Sequence, residues 1–412
     1  MREHGVGLVT TWPRLAREAH TQRALTAISE LLANPPTIYQ GALDDPAQAV
    51  SLVNREPGFA LFFAYLYAAT ERPRWRELAE MHIDTALAAV PEALAKRRTF
   101  FGYGVAGLAW TIAHLDGWLC EGAEETLDEL DAMLLALLDA DVVDDFALPH
   151  GLVGYGVYAL ERWPHPAGRE LLHRVVVRLV AMARPHNNGV AWQVSDNGLV
   201  PPHIRAAHPD GIFVRGVFEG AAGAVALLSA AARRGVTCDG LEDVVAKALD
   251  FIWAARPAGS GWAVGDLGIA GAIAATGSPA HRALGLKRAI ELADPARVQQ
   301  MDDPSLIGGT AGSCLTFLRL AAATGEPTLL EAARASFERT LALFDPERDG
   351  GGYRFWQAPW QREHFPQLET GWIVDPGLLN GAAGVGLVLL AATTAIEPRW
   401  DRCLLLSVKE PS

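Results

Sequence analysis

Stretches built almost wholly of small apolar residues alternate along this chain with stretches in which charged and apolar residues are interspersed. Residues 221–232 read AAGAVALLSAAA, whereas residues 74–82 read RWRELAEMH and residues 168–176 read GRELLHRVV. Alanine and leucine favour helices. A helix that is apolar on nearly all sides is buried, and one with a charged face lies at a surface. The alternation therefore predicts an inner set of buried helices and an outer set of amphipathic helices.

A short glycine cassette precedes each apolar stretch, and the cassettes recur at a regular distance. A repeat near 45 residues holds two helices with their turns, so we predict an all-α chain of helical hairpins. Seven such hairpins can close into a ring with a central cavity for a substrate. The second glycines of the cassettes stand 49, 47, 69, 45, 44 and 72 residues apart, at Gly58, Gly107, Gly154, Gly223, Gly268, Gly312 and Gly384.

The two longest steps mark loop insertions at residues 185–213 and 345–378. Within the first, residues 190–194 (VAWQV) lie between turn signals and predict a short strand of a hairpin-like loop. Long loops in a compact domain are often functional. Both insertions directly precede an inner helix, so we expect both to cover one end of the ring. Their tryptophans are candidate peptide contacts, with loop packing as the alternative: Trp192, Trp356, Trp360 and Trp372.

The remaining segments complete one domain in this interpretation. Residues 1–45 form an N-terminal lead-in with one amphipathic helix, at about residues 14–33, which is closed by Pro35 and Pro36. Because repeated hairpins can tile one large closed domain, we predict a single α/α-toroid domain over residues 1–412.

Composition and charge argue against several classes of function. The formal net charge of -13 disfavours binding to nucleic acid and to an anionic membrane surface. No uncharged apolar stretch reaches the roughly 18 to 20 residues that span a bilayer, and residues 1–22 lack the apolar core of a signal peptide. The four cysteines, which have neither a CxxC pair nor a disulfide-like spacing, indicate reduced thiols in a cytoplasmic protein. They are Cys120, Cys238, Cys314 and Cys403.

Four stretches of the sequence resemble motifs of the lanthionine synthetase C-like (LanC-like) family, the cyclases of lanthipeptide biosynthesis. The likeness covers about residues 20–407, with the motifs in the right order. It implies an α/α toroid of seven inner and seven outer helices, in agreement with the repeat count, and a dehydrated precursor peptide as substrate. The motifs are GWAVGDLGIA at 261–270, SLIGGTAG at 305–312, GLLNGAAG at 377–384 and EPRWDRCLLL at 397–406.

The chemistry of the family is a Michael-type addition, in which a cysteine thiol of the peptide adds to dehydroalanine or dehydrobutyrine and closes a thioether ring. A zinc ion held by two cysteines and a histidine generates the thiolate, because metal binding deprotonates a thiol. In this chain the three ligand positions hold Ala263, Ile307 and Gly308, whose side chains bind no metal. The resemblance therefore implies a divergent member, and we predict neither zinc nor another cofactor.

Two further family positions have also changed. The position of the active-site histidine holds Glu219, and that of the catalytic aspartate holds Ala147. Glu219 is our first catalytic candidate, because a carboxylate at the start of an inner helix is stabilised there and burial makes it a better base; a structural hydrogen bond is the alternative. His150 occupies the same slot of the preceding cassette and is a candidate proton carrier, with a purely structural histidine as the alternative.

Asp145 and Asp266 complete the catalytic candidates. Asp145 stands two residues before Ala147 and is the candidate replacement for the missing aspartate, unless it caps a helix. Asp266 belongs to a Gly-Asp-Leu-Gly stretch that the family shares, and capping of a helix is the alternative to a chemical role. The substrate-binding candidates, which flank the cassettes, are Arg215, Trp262 and Asn380.

Three functions fit these residues. The first is a metal-independent cyclase, in which a thiol or nitrogen nucleophile of a dehydrated peptide adds to a dehydroamino acid while Glu219 or His150 moves protons. The second is an inactive pseudo-cyclase that presents the precursor peptide to a dehydratase or another modifying enzyme. The third is carbohydrate chemistry on the carboxylate pair of Glu219 and Asp266, which the family motifs disfavour. We favour the first.

Overall fold

Helices dominate the computed structural model, which describes residues 12–15, 18–35, 45–120, 122–140, 143–195, 202–209, 211–254, 259, 261–359 and 370–409. In chain order the helices are α1 (Glu18–Ala33), α2 (Glu56–Thr70), α3 (Pro73–Ala88), α4 (Val90–Ala95), α5 (Val105–Leu115), α6 (Glu124–Asp139), α7 (Leu152–Arg162), α8 (Pro166–Met182), α9 (Pro202–Ala207), α10 (Ala221–Ala232), α11 (Leu241–Trp253), α12 (Asp266–Thr276), α13 (Pro279–Leu292), α14 (Pro295–Gln299), α15 (Thr310–Thr324), α16 (Pro327–Ala342) and α17 (Ala382–Thr393).

Seven helices of the described part of the chain form an inner ring. Each packs on the next, and the last, α17, returns to α2 and closes the ring. Their residues are small and apolar and are almost all buried, as in α10 and α17, so the predicted inner set is confirmed. In ring order these helices are α2, α5, α7, α10, α12, α15 and α17.

The outer ring consists of helices that each pack against the preceding inner helix. In α11, for example, Leu241, Val245, Ala248 and Ile252 recur at helical spacing and are buried, which is the pattern of an amphipathic surface helix. No helix among the described residues has the length and apolar character needed to cross a membrane. The outer helices that follow their inner partners are α3, α6, α8, α11, α13 and α16.

Helix α1 supplies the outer member of the last hairpin. It packs against α17, and the segment before it is tied to the end of α17: the Trp12 indole N–H donates to the Ala391 carbonyl at 2.7 Å and the Leu15 N–H to the Ala392 carbonyl at 2.6 Å. The segment expected to be a lead-in therefore closes the outer ring. The predicted α/α toroid of seven inner and seven outer helices is thereby confirmed for the residues that the structure describes.

The first loop insertion carries a short antiparallel hairpin. Its strands are β1 (Arg184–His186) and β2 (Gly189–Ala191), and Asn187 at the turn adopts the left-handed conformation with φ 50°. The strand predicted at residues 190–194 thus begins one residue earlier and ends at Ala191, after which the chain is irregular.

The second loop insertion carries a hairpin of its own, in which β3 (Phe355–Gln357) pairs antiparallel with β4 (Gly371–Ile373). Trp360, one of the predicted covering tryptophans, lies outside the described residues. The exact extent of the domain, residues 1–412, stays a prediction.

Backbone hydrogen bonds join the loops that lead into the inner helices, and they run around the whole ring. We call this closed series the hydrogen-bond circle. In five of the seven loops the donor stands two positions before the N-cap of the inner helix. In the other two the residue one position earlier donates: Leu148 in place of Pro149, which has no N–H, and Leu378 in place of Leu379. The seven bonds, each written from the donor N–H to the acceptor carbonyl, are Val53 to Gly102 (3.0 Å), Gly102 to Pro149 (2.8 Å), Leu148 to Phe218 (3.1 Å), Phe218 to Ala263 (3.2 Å), Ala263 to Ile307 (2.9 Å), Ile307 to Leu379 (2.9 Å) and Leu378 to Val53 (2.6 Å).

The second glycine of each cassette allows the loop to fold back over the first turn of its own helix. A Cβ atom on Gly268 would lie 1.9 Å from the carbonyl oxygen of Trp262, and one on Gly384 would lie 1.9 Å from that of Leu378. Atoms cannot approach so closely, so any side chain would push the loop off the helix and distort the hydrogen-bond circle. The repeated glycine is therefore a packing requirement.

We expect Gly268→Ala to lower the free energy of unfolding by about 3 kcal/mol, because backbone must move to accept the methyl group. Gly308→Ala is the matched control, since a Cβ there meets no atom within 4 Å, and it should change stability by no more than about 0.5 kcal/mol. Urea denaturation of the three proteins measures both values. Equal stability of the two variants would contradict this account of the cassettes.

Candidate functional site

The residue directly before each inner-helix N-cap occupies the same place in every hairpin. Because the hydrogen-bond circle joins the loops one residue earlier, these residues lie together at one end of the ring, and we call them the mouth positions. Two of these residues, Val264 (67% exposed) and Gly308, are exposed, and the others are half-buried. In ring order the mouth positions are Asn54, Tyr103, His150, Glu219, Val264, Gly308 and Asn380.

His150 lies between two aromatic rings at the mouth. Its imidazole stacks on Tyr103 with ring centroids 5.0 Å apart, and the ring of Phe100 meets it edge-on at 5.6 Å. Burial lowers the pKa of His150, because the charged imidazolium is poorly solvated there, and the negative charge of Asp145 only partly opposes this shift. The imidazole is therefore neutral at pH 7, the form in which a histidine acts as a base.

Tyr103 interacts with both candidate residues: its ring stacks on His150, and its phenol is close enough to Glu219 to be affected by the negative charge. Burial raises the pKa of the Tyr103 phenol, and the negative charges of Glu219 and Asp375 raise it further, so the phenol keeps its proton. A phenol, an imidazole and a carboxylate thus occupy three consecutive mouth positions. Tyr103 is not among the candidates named from the sequence, although it stands directly before Gly104, as His150 and Glu219 stand before the glycines of their own cassettes.

Asp145 forms part of the backbone turn in its loop. Its carboxylate accepts the N–H of Ala147 at 2.7 Å. Asp303 and Asp375, which stand at the same position of their own loops, accept the N–H two residues later at 2.6 and 2.7 Å. Three loops therefore use the aspartate in one way, as an Asx turn, and this bond supports the structural alternative for Asp145.

Asp266 and Arg215 bind each other below the mouth. Asp266 is buried as the first residue of α12, so the helix N-cap is Gly265 and not, as the alternative had it, Asp266. Arg215 places Nη1 3.4 Å from the Asp266 carboxylate and 3.1 Å from the Ile252 carbonyl. Because Asp266 is held in an ion pair with Arg215, the carboxylate pair of Glu219 and Asp266 is a poor match for the carbohydrate chemistry considered above.

Trp262 lies in the apolar centre of the ring. It is 1% exposed, and its indole N–H donates to the Leu404 carbonyl at 3.0 Å. A cavity of about 10 Å³, roughly the space of one water molecule, lies between Trp262 and its apolar neighbours. We call this cluster the apolar floor, and it includes Leu52, Phe101, Leu148, Trp262, Leu378 and Leu404.

The apolar floor replaces the central cavity that we expected from a ring of hairpins. Leu404 comes from the C-terminal 3-10 helix Arg399–Leu404, whose Trp400 and Cys403 are also buried. The C-terminal segment thus fills the middle of the toroid. Of the mouth positions, Val264 and Gly308 are exposed to solvent, and Asn380 is the predicted binding residue that stands among these positions. Roles for Asn380, Trp262 and Arg215 in binding stay predictions.

The tryptophans of the two insertions differ in their surroundings. Trp192 is buried, stacks on Phe146 at 5.9 Å and donates its indole N–H to the Leu179 carbonyl at 2.8 Å, so it packs the loop onto the toroid. Trp356 and Trp372 instead stand about half exposed on the β3–β4 hairpin.

The three positions that correspond to the family's zinc ligands lie next to each other. Ala263 donates its backbone N–H to the carbonyl of Ile307 at 2.9 Å, and Gly308 follows directly. Their side chains are two hydrocarbons and a hydrogen atom, none of which has an electron pair for a metal. These residues do not fit a zinc ion held in the family's manner.

One other group of described side chains has metal-ligand spacing: Glu124, Asp128 and His165. Arg162 already binds both carboxylates, with Nη1 3.3 Å from Glu124 and Nη2 3.2 Å from Asp128. Arg162 is the last residue of α7, so the group lies at the end of the ring opposite the mouth. A guanidinium occupies the place of a cation there.

The double ring with glycine-capped inner helices defines an α/α-toroid protein. Residues 47–405 match the family model described as lanthionine synthetase C-like protein, and the chain belongs to this family. Among solved structures, nisin cyclase is similar, with a TM-score of 0.67 and 16% sequence identity over 95% of this chain and 98% of that chain, which shows a shared fold. No curated protein matches the sequence.

The adjacency of the three ligand positions predicts that a zinc site can be rebuilt. We expect the triple variant Ala263→Cys, Ile307→Cys, Gly308→His to retain about one zinc ion per chain after dialysis, because two thiolates and an imidazole suit tetrahedral zinc. The control keeps both cysteines and carries Gly308→Ala. Metal analysis that finds the same zinc content in the triple variant and in the control would contradict the proposed geometry.

The lowered pKa of His150 predicts a pH-dependent contribution to stability. The unfolded chain takes up the proton first as the pH falls. The contribution of neutral His150 is therefore complete above about pH 6.5 and is lost as the pH falls below that value, towards the lowered pKa of the folded protein. The stability advantage of the wild type over His150→Gln should therefore shrink between pH 8 and pH 5. Urea denaturation across this range measures it, with His173→Gln on α8 as the control. An advantage that grows towards pH 5 would contradict the burial argument.

Proposed function

We propose that this protein cyclises a dehydrated, ribosomally made peptide without a metal. Membership of the lanthionine synthetase C-like family and the fold shared with nisin cyclase support a cyclase-type role. The observation that carries the proposal is the presence of Tyr103, His150 and Glu219 at three consecutive mouth positions. These groups can donate and accept protons, and the proposal places the reacting part of the peptide beside them.

The reaction is a Michael-type addition within the peptide. A side-chain nucleophile, either a cysteine thiol or a histidine or amine nitrogen, forms a bond to the β-carbon of dehydroalanine or dehydrobutyrine. The carbon–carbon π bond breaks, and its electron pair moves to the α-carbon, which takes up a proton. The proton of the nucleophile goes to His150 or Glu219 as general base. No atom is lost, so the mass of the peptide does not change.

A histidine nucleophile explains best how the reaction proceeds without zinc. A thiol with a pKa near 8.5 is mostly protonated at pH 7, whereas a histidine imidazole with a pKa near 6.5 is mostly neutral and nucleophilic. A base at the mouth then removes the proton that the imidazole or amine loses on addition. Holding both reacting groups at the mouth contributes proximity, which accelerates ring closure even with modest chemical assistance.

The proposal has consequences for partners and location. The dehydroamino acids arise by removal of water from serine or threonine, so a dehydratase acts on the peptide first, and we propose that it works beside this protein. Both enzymes then act in the cytoplasm, on a peptide that has not yet been exported.

A peptide-binding pseudo-cyclase is the second candidate. It is favoured by the loss of every ligand side chain at Ala263, Ile307 and Gly308, and by the use of Asp145 in a turn. In that case the mouth positions bind the peptide without changing it.

Tandem mass spectrometry on synthetic peptides tests the proposal. Each peptide carries one dehydrobutyrine and one cysteine, histidine or lysine, and the protein is treated with a chelator beforehand. We expect ring formation, seen as lost fragmentation inside the ring and lost reactivity towards an added thiol. Glu219→Gln and His150→Ala should slow it about 100-fold, which is typical for the loss of an acid–base group.

Two exposed residues of the outer ring provide matched controls for these variants. Glu129→Gln on α6 and His173→Ala on α8 make the same chemical changes far from the mouth, and they should leave the rate unchanged. Peptide that binds tightly while its dehydrobutyrine stays reactive towards thiols would contradict catalysis and establish the pseudo-cyclase.

A further inference from the structure

Two tryptophans form an exposed aromatic pair on the hairpin of the second insertion. Trp356 and Trp372 are 50% and 49% exposed, stand directly opposite each other on β3 and β4, and touch with ring centroids 5.5 Å apart. We call this pair the tryptophan face. Such large apolar side chains are usually covered, and tryptophan is the residue most enriched at binding hot spots.

The exposure of the tryptophan face follows from the register of the hairpin. Phe355, the neighbour of Trp356 in β3, is 1% exposed and packs inwards near Tyr353 with ring centroids 6.4 Å apart. Since successive side chains of a strand point to opposite sides, anchoring Phe355 in the core holds Trp356 outwards. The outward position is therefore held by the fold.

The tryptophan face adjoins the apolar side of the mouth. The backbone of Trp356 lies beside the carboxylate of Asp303 and favours its charged form, and Asp303 begins the loop that leads to Gly308. Gly308 and its ring neighbour Val264 are the two exposed mouth positions, and neither is polar. Tyr103, His150 and Glu219 precede these two positions in ring order. The β3–β4 hairpin therefore lies beside a loop that carries an exposed, non-polar mouth position.

We propose that the tryptophan face binds the dehydrated segment of the peptide beside the reacting residues and selects it over the same segment before dehydration. Removal of water converts the hydroxyl groups of serine and threonine into apolar alkenes, so a dehydrated peptide has more apolar surface to bury. Flat dehydro side chains pack well against indole rings. The inference rests on the proposed function, because it assigns the tryptophan face to the same substrate.

Two other occupants fit the observations less well. A second copy of the chain needs about 800 Å² of buried surface on each partner, whereas two half-exposed tryptophans offer about 250 Å² together at most. An anionic membrane surface is repelled by the formal net charge of -13. A short neutral peptide matches both the size and the apolar character of the face.

Fluorescence anisotropy with labelled peptides tests this selection. The probe is a peptide with two dehydrobutyrines and no nucleophile, so that it cannot cyclise, and the comparison peptide has threonine at both positions. We expect the dehydrated probe to bind at least about tenfold more tightly to the wild type. Trp356→Ala and Trp372→Ala should each weaken its binding about tenfold, leave the threonine peptide almost unaffected, and thereby remove the preference.

Further variants of the same protein control for folding and for non-specific hydrophobic binding. Trp356→Tyr should keep most of the affinity, and Val177→Ala and Leu284→Ala, which truncate exposed apolar residues of α8 and α13, should keep all of it. Equal binding of the two peptides, or Trp→Ala variants that bind like the wild type, would overturn the proposal. The proposal would also be overturned if the double variant Trp356→Ala, Trp372→Ala changed only the oligomeric state or only the binding to liposomes.

The binding test of the tryptophan face and the cyclisation test of the proposed function can fail independently of each other. Binding is measured with a peptide that cannot react, so selective binding without any cyclisation of the nucleophile-bearing peptides would retain the docking surface and reject the cyclase. Cyclisation at the wild-type rate and affinity by the Trp→Ala variants would reject the docking surface alone.

Discussion

The hydrogen-bond circle is the constraint on which the rest of this structure depends. It closes the start of every described inner helix onto the next, and it does so through backbone groups alone. A closed backbone circle leaves no edge of unpaired donors at the centre of the ring. It also aligns the loops in a single register, so that the residue after each participating position faces the mouth. The glycine cassettes are the sequence requirement of this arrangement, because only glycine lets the loop lie so close to its helix.

The circle also explains how the chemistry at the mouth can change while the fold persists. Ala263 and Ile307, which stand at two of the three zinc-ligand positions of the family, are themselves members of the circle through their main chains. Loss of a ligand side chain therefore removes a metal site without removing a structural bond. The same holds for Glu219, which follows Phe218 of the circle. Side chains at the mouth can vary independently of the toroid, so family membership fixes the fold more firmly than the chemistry of the mouth.

Much of the fold was predictable from the sequence, because apolar helices, amphipathic helices and a repeated glycine cassette are local signals. The outer position of α1 was not, since its packing partner α17 lies at the other end of the chain. The closed centre was not predictable either. It depends on the C-terminal segment reaching into the ring, and nothing in the local pattern around Leu404 indicates that contact.

The candidate site was predictable only in part, for a physical reason. The position before the cassette glycine singled out His150 and Glu219 in the sequence, and the same rule applied to every cassette also selects Tyr103. The turn bond of Asp145 and the ion pair of Asp266 depend on neighbours that a single sequence does not reveal. A crystal structure with a dehydrated peptide that lacks a nucleophile tests the central claim most directly. We predict the dehydro residue over Tyr103, His150 and Glu219, with its flanking segment across Trp356 and Trp372; a peptide bound on the outer ring or at the opposite end of the toroid would contradict the account.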